Sequence, residues 1–274
     1  MVVMFLMYSG YGIMESYKRN KDKYLNSFIR KRLLKTLLHF ELAVLLFWLV
    51  AWILDHEYAG NDYLLSLTGW SSVGNSNWFV FDILILYIIT YLCLTIANRY
   101  RFSNTKLISL LIGSTSIFML FLIKTKERWW WDTILSFPLG IVYSIYKDRI
   151  ETFLKSQRNY LCTLTGVILL FITFYYLGTE VKTIFSSVTS VIFALMLIML
   201  TMRIAVGNKI LYWLGVNAFS IYILQRIPMI IAHEYGVNEN PVLFFSIICP
   251  CTLLLAYLFT KTTDAIDKKL FAIM

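Results

Sequence analysis

Apolar residues in this chain gather into long uninterrupted runs separated by short polar stretches. Runs near the ~20 residues that a bilayer core requires recur at 36–54, 78–96, 107–123, 160–177, 184–202, 210–232 and 241–260. A weaker run at 131–146 contains Pro138 and Gly140, and residues 1–13 are apolar but too short to cross alone. Backbone polar groups must be satisfied within each segment in lipid, so runs of this length predict helices. The pattern predicts an all-α polytopic transmembrane bundle of about eight full spans plus an N-terminal partial helix. One integral-membrane domain covers 1–274, its longest loop running from Asp55 to Asn77.

The polar residues between the runs set an orientation. Lys and Arg cluster at 18–35, 99–106, 147–158, 203–209 and 261–269, whereas the alternate loops hold only Lys124, Lys126, Arg128 and Lys182. Basic residues mark the cytoplasmic side, which predicts a multi-pass protein of the plasma membrane with a cytoplasmic C-terminus. The loop after residue 13 is then cytoplasmic, and the chain would begin on the outer side. One further helix is expected upstream, making the N-terminus incomplete and the full count ten.

Composition sharpens the class: 59% of residues are hydrophobic, 17% aromatic and only 15% charged, against about a quarter charged in soluble domains. The +9 net charge follows from topology signals and attraction to anionic lipid, so membrane lipids are expected partners and nucleic acid is not. Cys93, Cys162, Cys249 and Cys251 sit in apolar runs without metal-ligand companions, and read as packing residues. No metal is expected. Ser9 and Gly10 permit close helix approach. Trp129, Trp130 and Trp131 fit an interfacial aromatic belt better than a sugar platform. Pro138, Pro228 and Pro250 are candidate kinks.

Two polar constellations stand out. Arg32, Lys35 and His39 follow one another at i, i+3 and i+7, one stripe of an α-helix, where a run of cations meets the first long apolar segment. Arg32 can clamp a phosphate bidentately and Lys35 can add a point charge; both serve equally as a basic flank that snorkels to headgroups. At the opposite face, Asp82 and Arg226 lie inside their spans by roughly 6 to 9 Å, at ~1.5 Å per residue. Ionisable groups at that depth pair or line a cavity. With Trp78, Asp132, Tyr222 and Gln225 they outline a candidate sugar-binding pocket. His56 and His233 fall in outer loops as solvated histidines.

The chain resembles the membrane acyltransferase-3 family along most of its length. VVMFLMYSGYGIMESY resembles the FFxxSGY/F start of the family's second helix, and Arg32-Leu33-Leu34-Lys35 stands where the family has R-x-x-R. Further matches are NSNWFVFDILILYIITYL from Asn75, WWWDTILSFPLGIVYSIYKDRI from Trp129, and LYWLGVNAFSIYILQRIPMII from Leu211, similar to the closing LGxxSFxIYLxH. The resemblance implies transfer of an acyl group, usually acetyl, from cytoplasmic acyl-CoA to a hydroxyl of a bacterial envelope polysaccharide or glycolipid. Acetyl-CoA is then the donor, the glycan the acceptor. The resemblance implies that the family's catalytic histidine belongs to a first helix, expected upstream of this sequence. Lys35 replaces the second arginine and Gln225 the closing histidine. His39 is left as the substitute base, Arg32 and Lys35 as cofactor-binding, and Asp82, Arg226, Gln225, Tyr222, Trp78 and Asp132 as acceptor-binding. A flippase for a lipid-linked sugar, or an inactive membrane partner, are the alternatives.

Overall fold

The computed structural model describes residues 2–180, 185–204 and 207–271. Met1 of the expected partial helix, Lys182 of the expected outer loop and Ile184 at the start of the run 184–202 lie outside them. Every regular element among the described residues is helical. In chain order these are α1 (Val2–Arg19), α2 (Lys21–Phe28), a π-helical segment (Ile29–Leu34), α3 (Lys35–Ile53), α4 (Gly60–Leu67), α5 (Trp78–Arg99), α6 (Asn104–Thr125), α7 (Ser136–Leu154), α8 (Gln157–Glu180), α9 (Phe185–Arg203), α10 (Lys209–Leu224), α11 (Arg226–Glu234) and α12 (Pro241–Leu270). Six helical stretches are long and apolar enough to span a membrane, and α10 with α11, bent by 45°, makes a seventh if counted as one span. The chain is a polytopic helical membrane protein.

The helices form two compact units: Met1–Phe28 with Ile85–Val206, and Ile29–Leu84 with Gly207–Met274.

In the first unit α1 lies against α7 at the glycines the sequence offers. A Cβ on Gly10 would sit 2.1 Å from the Phe137 carbonyl oxygen, and one on Gly140 2.0 Å from that of Met7. Only glycine permits that backbone approach. Ser9 adds a 2.8 Å hydroxyl bond to Tyr87. Below this seam Met7, Tyr143, Ala194 and Ile198 make a small apolar core, and α8 pairs with α9. The α8 face is almost wholly exposed although apolar, as with Leu169, Leu170 and Ile172, the surface expected to face lipid.

Three local expectations change. The weak run 131–146 is not one helix: a 3-10 turn at Arg128–Trp130 leads into α7 at Ser136. Pro138 thereby falls in the first helical turn, where its missing N–H costs nothing. Trp130 and Trp131 are buried and only Trp129 is exposed, with Lys126 Nζ 4.3 Å from the Trp130 ring, so the triplet is not a belt. Of the cysteines, Cys93 alone is buried.

In the second unit α3 packs on α4, α10 and α11, and α12 on α10 and α11. Pro228 lacks the N–H that would bond back to Leu224, and α10 breaks from α11 just before it. Pro250 instead lies inside α12 without ending it. At 30 residues α12 outruns the predicted span 241–260 by ten, about 45 Å of helix against a ~30 Å core. The loop 55–77 is not open coil: it contains α4, and Asn77 donates to Gly69 O at 2.7 Å while Asn75 Oδ1 accepts from Val73 N at 3.0 Å.

Candidate functional site

The overrun of α12 carries the residue that organises the basic end of the second unit. Asp267 meets Lys35 Nζ at 2.6 Å with one oxygen and His39 Nε2 at 3.1 Å with the other. The His39 and Asp267 side chains are nearly buried, Lys35 more open. An ionised carboxylate only accepts, so His39 Nε2 carries the proton in that bond and Nδ1 retains its lone pair in the neutral ring. The Lys35 ammonium, expected at a phosphate, is paired with Asp267. Arg32 is half-buried with no hydrogen bond or ion pair among the described residues. It also lies in the π-helical segment, whose wider turn shifts the α-helical stripe expected of Arg32, Lys35 and His39.

A second cluster lies toward the other end of α3. At ~1.5 Å per residue the stretch from His39 to Ile53 rises about 20 Å. There Asp82, fully buried near the start of α5, and Arg226, the first residue of α11, both act electrostatically on Tyr222. Tyr222 packs edge-on against Phe79 with centroids 5.2 Å apart. Its hydroxyl is buried and makes no hydrogen bond among the described residues. Arg226 is exposed and stands at the bend between α10 and α11. Arg226 is also a neighbour of Tyr58, a loop residue whose phenol burial pushes above its usual range. Trp78 is half-buried at the head of α5, edge-on to Phe79. Gln225 lines a cavity of about 220 Å³ with Ile221, Met229 and Phe244. Asp132 belongs to the first unit, where burial raises its carboxyl and Arg128 opposes the rise. His56 is paired with Glu234 at 3.3 Å, not simply solvated.

Sequence reasoning missed Asp267 and Tyr58. Asp267 followed a run judged to end at 260; its signal was the continuing helical pattern TKTTDAIDKK, with Asp264 and Asp267 three apart. Tyr58 had no motif to mark it.

A family profile described as an acyltransferase domain matches residues 1–261. Comparisons with curated proteins and with solved structures find no match.

Proposed function

Because this chain belongs to the membrane acyltransferase-3 family, we propose that it moves an acyl group, in the first place acetyl, from cytoplasmic acyl-CoA to a hydroxyl of an envelope glycan. The observation that carries the reading is the family match over nearly the whole chain, and the Lys35, Asp267 and His39 cluster supplies chemistry suited to it. The basic end of α3 is the donor end. Arg32 contacts the CoA phosphates. Lys35 neutralises Asp267 and holds it against His39.

His39 is the proposed base. As the acceptor oxygen bonds to the thioester carbonyl carbon, its proton passes to Nδ1 of His39, and Asp267 stabilises the imidazolium through Nε2–H. The carbon–sulfur bond then breaks, and His39 returns the proton to the CoA thiolate. The clusters stand roughly 20 Å of helix apart, so they serve different parts of the reaction. Asp82, Tyr222, Arg226, Trp78 and Gln225 are assigned to the body of the acceptor, where aromatic faces suit sugar rings. Neither assignment uses a residue outside the second unit.

The test is Arg32→Ala in membranes, assayed for labelled acetyl transfer. The expected result is a KM for acyl-CoA raised about tenfold or more, the loss of a charge-assisted contact worth ~1.5–3 kcal/mol, with membrane insertion unchanged. An unaltered KM in a correctly inserted variant would remove Arg32 from the donor site.

A further inference from the structure

One cavity of the first unit has none of the residues assigned above in its lining. It measures about 620 Å³ and is walled by the ends of α1 and α2, the turn from α5 to α6, and Ile145 of α7. Lys18, Lys21 and Arg101 provide its charge, Asn98 and Asn104 its neutral donors, and Tyr17 and Phe102 its aromatic faces. Two of the cations are already occupied in part. Lys18 pairs with Glu15 at 2.9 Å and donates to the Ser144 carbonyl, and Lys21 stands over the Tyr17 ring at 5.8 Å. Asp22 accepts from Asn98 of the lining at 2.9 Å. Arg101 has no hydrogen bond or ion pair among the described residues. Lys106 adds further charge over the Phe102 ring.

The backbone at Arg101 distinguishes this cavity from an ordinary basic loop. Phe102 N–H bonds back to Ala97 O at 2.9 Å, the closing bond of a Schellman C-cap, and Arg101 occupies its left-handed position at φ 50°. That position suits glycine or asparagine. A topology signal would be met by arginine at any neighbouring site; it does not call for one in a strained conformation on a cavity wall. Strained backbone of this kind persists where the surroundings hold it for a purpose.

We propose that this cavity binds a phosphate-bearing anion with an aromatic or apolar body, Arg101 and Lys21 facing the phosphate and Tyr17 and Phe102 the body. Two sources share that chemistry: the nucleotide end of a free CoA-type molecule and the headgroup of an acidic phospholipid. The site does not depend on the acyltransferase reading, since its test is binding and not turnover.

The experiment uses the full chain in nanodiscs of neutral phosphatidylcholine. Calorimetric titration with coenzyme A is one arm, and retention of added phosphatidylglycerol, read by native mass spectrometry, is the other. Each is run on the wild type, Arg101→Gln, Arg101→Gly, Lys21→Gln and Arg32→Ala. A binding component in one arm that falls at least tenfold in Arg101→Gln and Lys21→Gln, and remains once Arg32→Ala has removed the donor-site component, identifies the source and supports the site. Arg101→Gly is expected to raise the thermal midpoint while losing the ligand equally, which separates lost contact from lost fold. Equal binding by wild type and both Arg101 variants in both arms, or loss only in Arg32→Ala, would overturn the proposal.

Discussion

At the scale of single residues, Asp267 and Tyr222 have opposite surroundings. Asp267 bridges Lys35 and His39, so Asp267→Asn keeps the shape while removing the charge that both partners use. The amide can present its N–H to His39 and reverse the tautomer, leaving Nδ1 protonated and unable to act as base. Acetyl transfer should fall at least tenfold with little change in KM for acyl-CoA, measured with labelled donor; an unchanged rate would remove the Asp267 to His39 contact from the chemistry. Tyr222 is the opposite case, a buried hydroxyl with no hydrogen bond among the described residues. Leaving such a group dry costs ~1–3 kcal/mol, so Tyr222→Phe should hold or raise the thermal midpoint while raising the KM for the acceptor. A lowered midpoint together with an unchanged KM would show the hydroxyl to be structural. Glu15 carries a pH dependence. The Ser144 hydroxyl and then Lys18 hold its carboxyl below the ordinary range, burial opposing them. Its contribution to stability is therefore present above its unfolded pKa and lost as pH falls through the lower folded one. Glu15→Gln should lower stability at neutral pH, where the ionised carboxylate contributes, and flatten the acid limb of the profile below about pH 4.5; an unchanged acid limb in thermal unfolding across pH would remove Glu15 from it.

At the scale of elements, the glycine seam between α1 and α7 is the most demanding contact. Alanine at Gly10 or Gly140 would place a methyl about 2 Å from a backbone oxygen of the other helix, and carbonyls cannot swing away as side chains do. Each substitution should cost at least the ~1–3 kcal/mol typical of overpacking, and the pair together less than the sum, since one separation of the helices relieves both. Thermal unfolding of the two single variants and the double variant checks this; additive losses would mean that the two sites do not share one seam. Ser9 and Gly10 were legible as a close-approach motif because small residues in an apolar run have few other uses. The extent of α12 was not. Apolar runs mark where lipid is crossed, and α12 continues past its run into polar sequence that hydropathy does not score. The start of α7 was misplaced for a related reason: the tryptophans preceding it are as apolar as a span, but 128–130 form a 3-10 turn. Helix ends are set by caps and prolines, and those signals were weaker than the runs.

At the scale of the whole molecule, class, helical fold and family were readable from sequence because they rest on features repeated along the chain. Span-length runs and motifs in consistent order each survive local error. The candidate site was readable only in part. Arg32, Lys35 and His39 could be grouped because they are neighbours in sequence, whereas their link to Asp267 spans more than two hundred residues, and no period in the chain encodes it. The charge asymmetry of the loops predicts a cytoplasmic C-terminus, checked by protease access to a C-terminal tag in sealed cells, which should leave the tag intact; cleavage would reverse the topology and with it the donor end. The central claim is acyl transfer from a thioester, with His39 as the base. Its most direct measurement is the rate at which labelled acetyl passes from acetyl-CoA to envelope glycan in membranes holding this chain, beside the same membranes with His39→Ala. The account predicts transfer by the first and at least a hundredfold less by the second, with both proteins inserted equally; no transfer by either, or equal transfer by both, would contradict it.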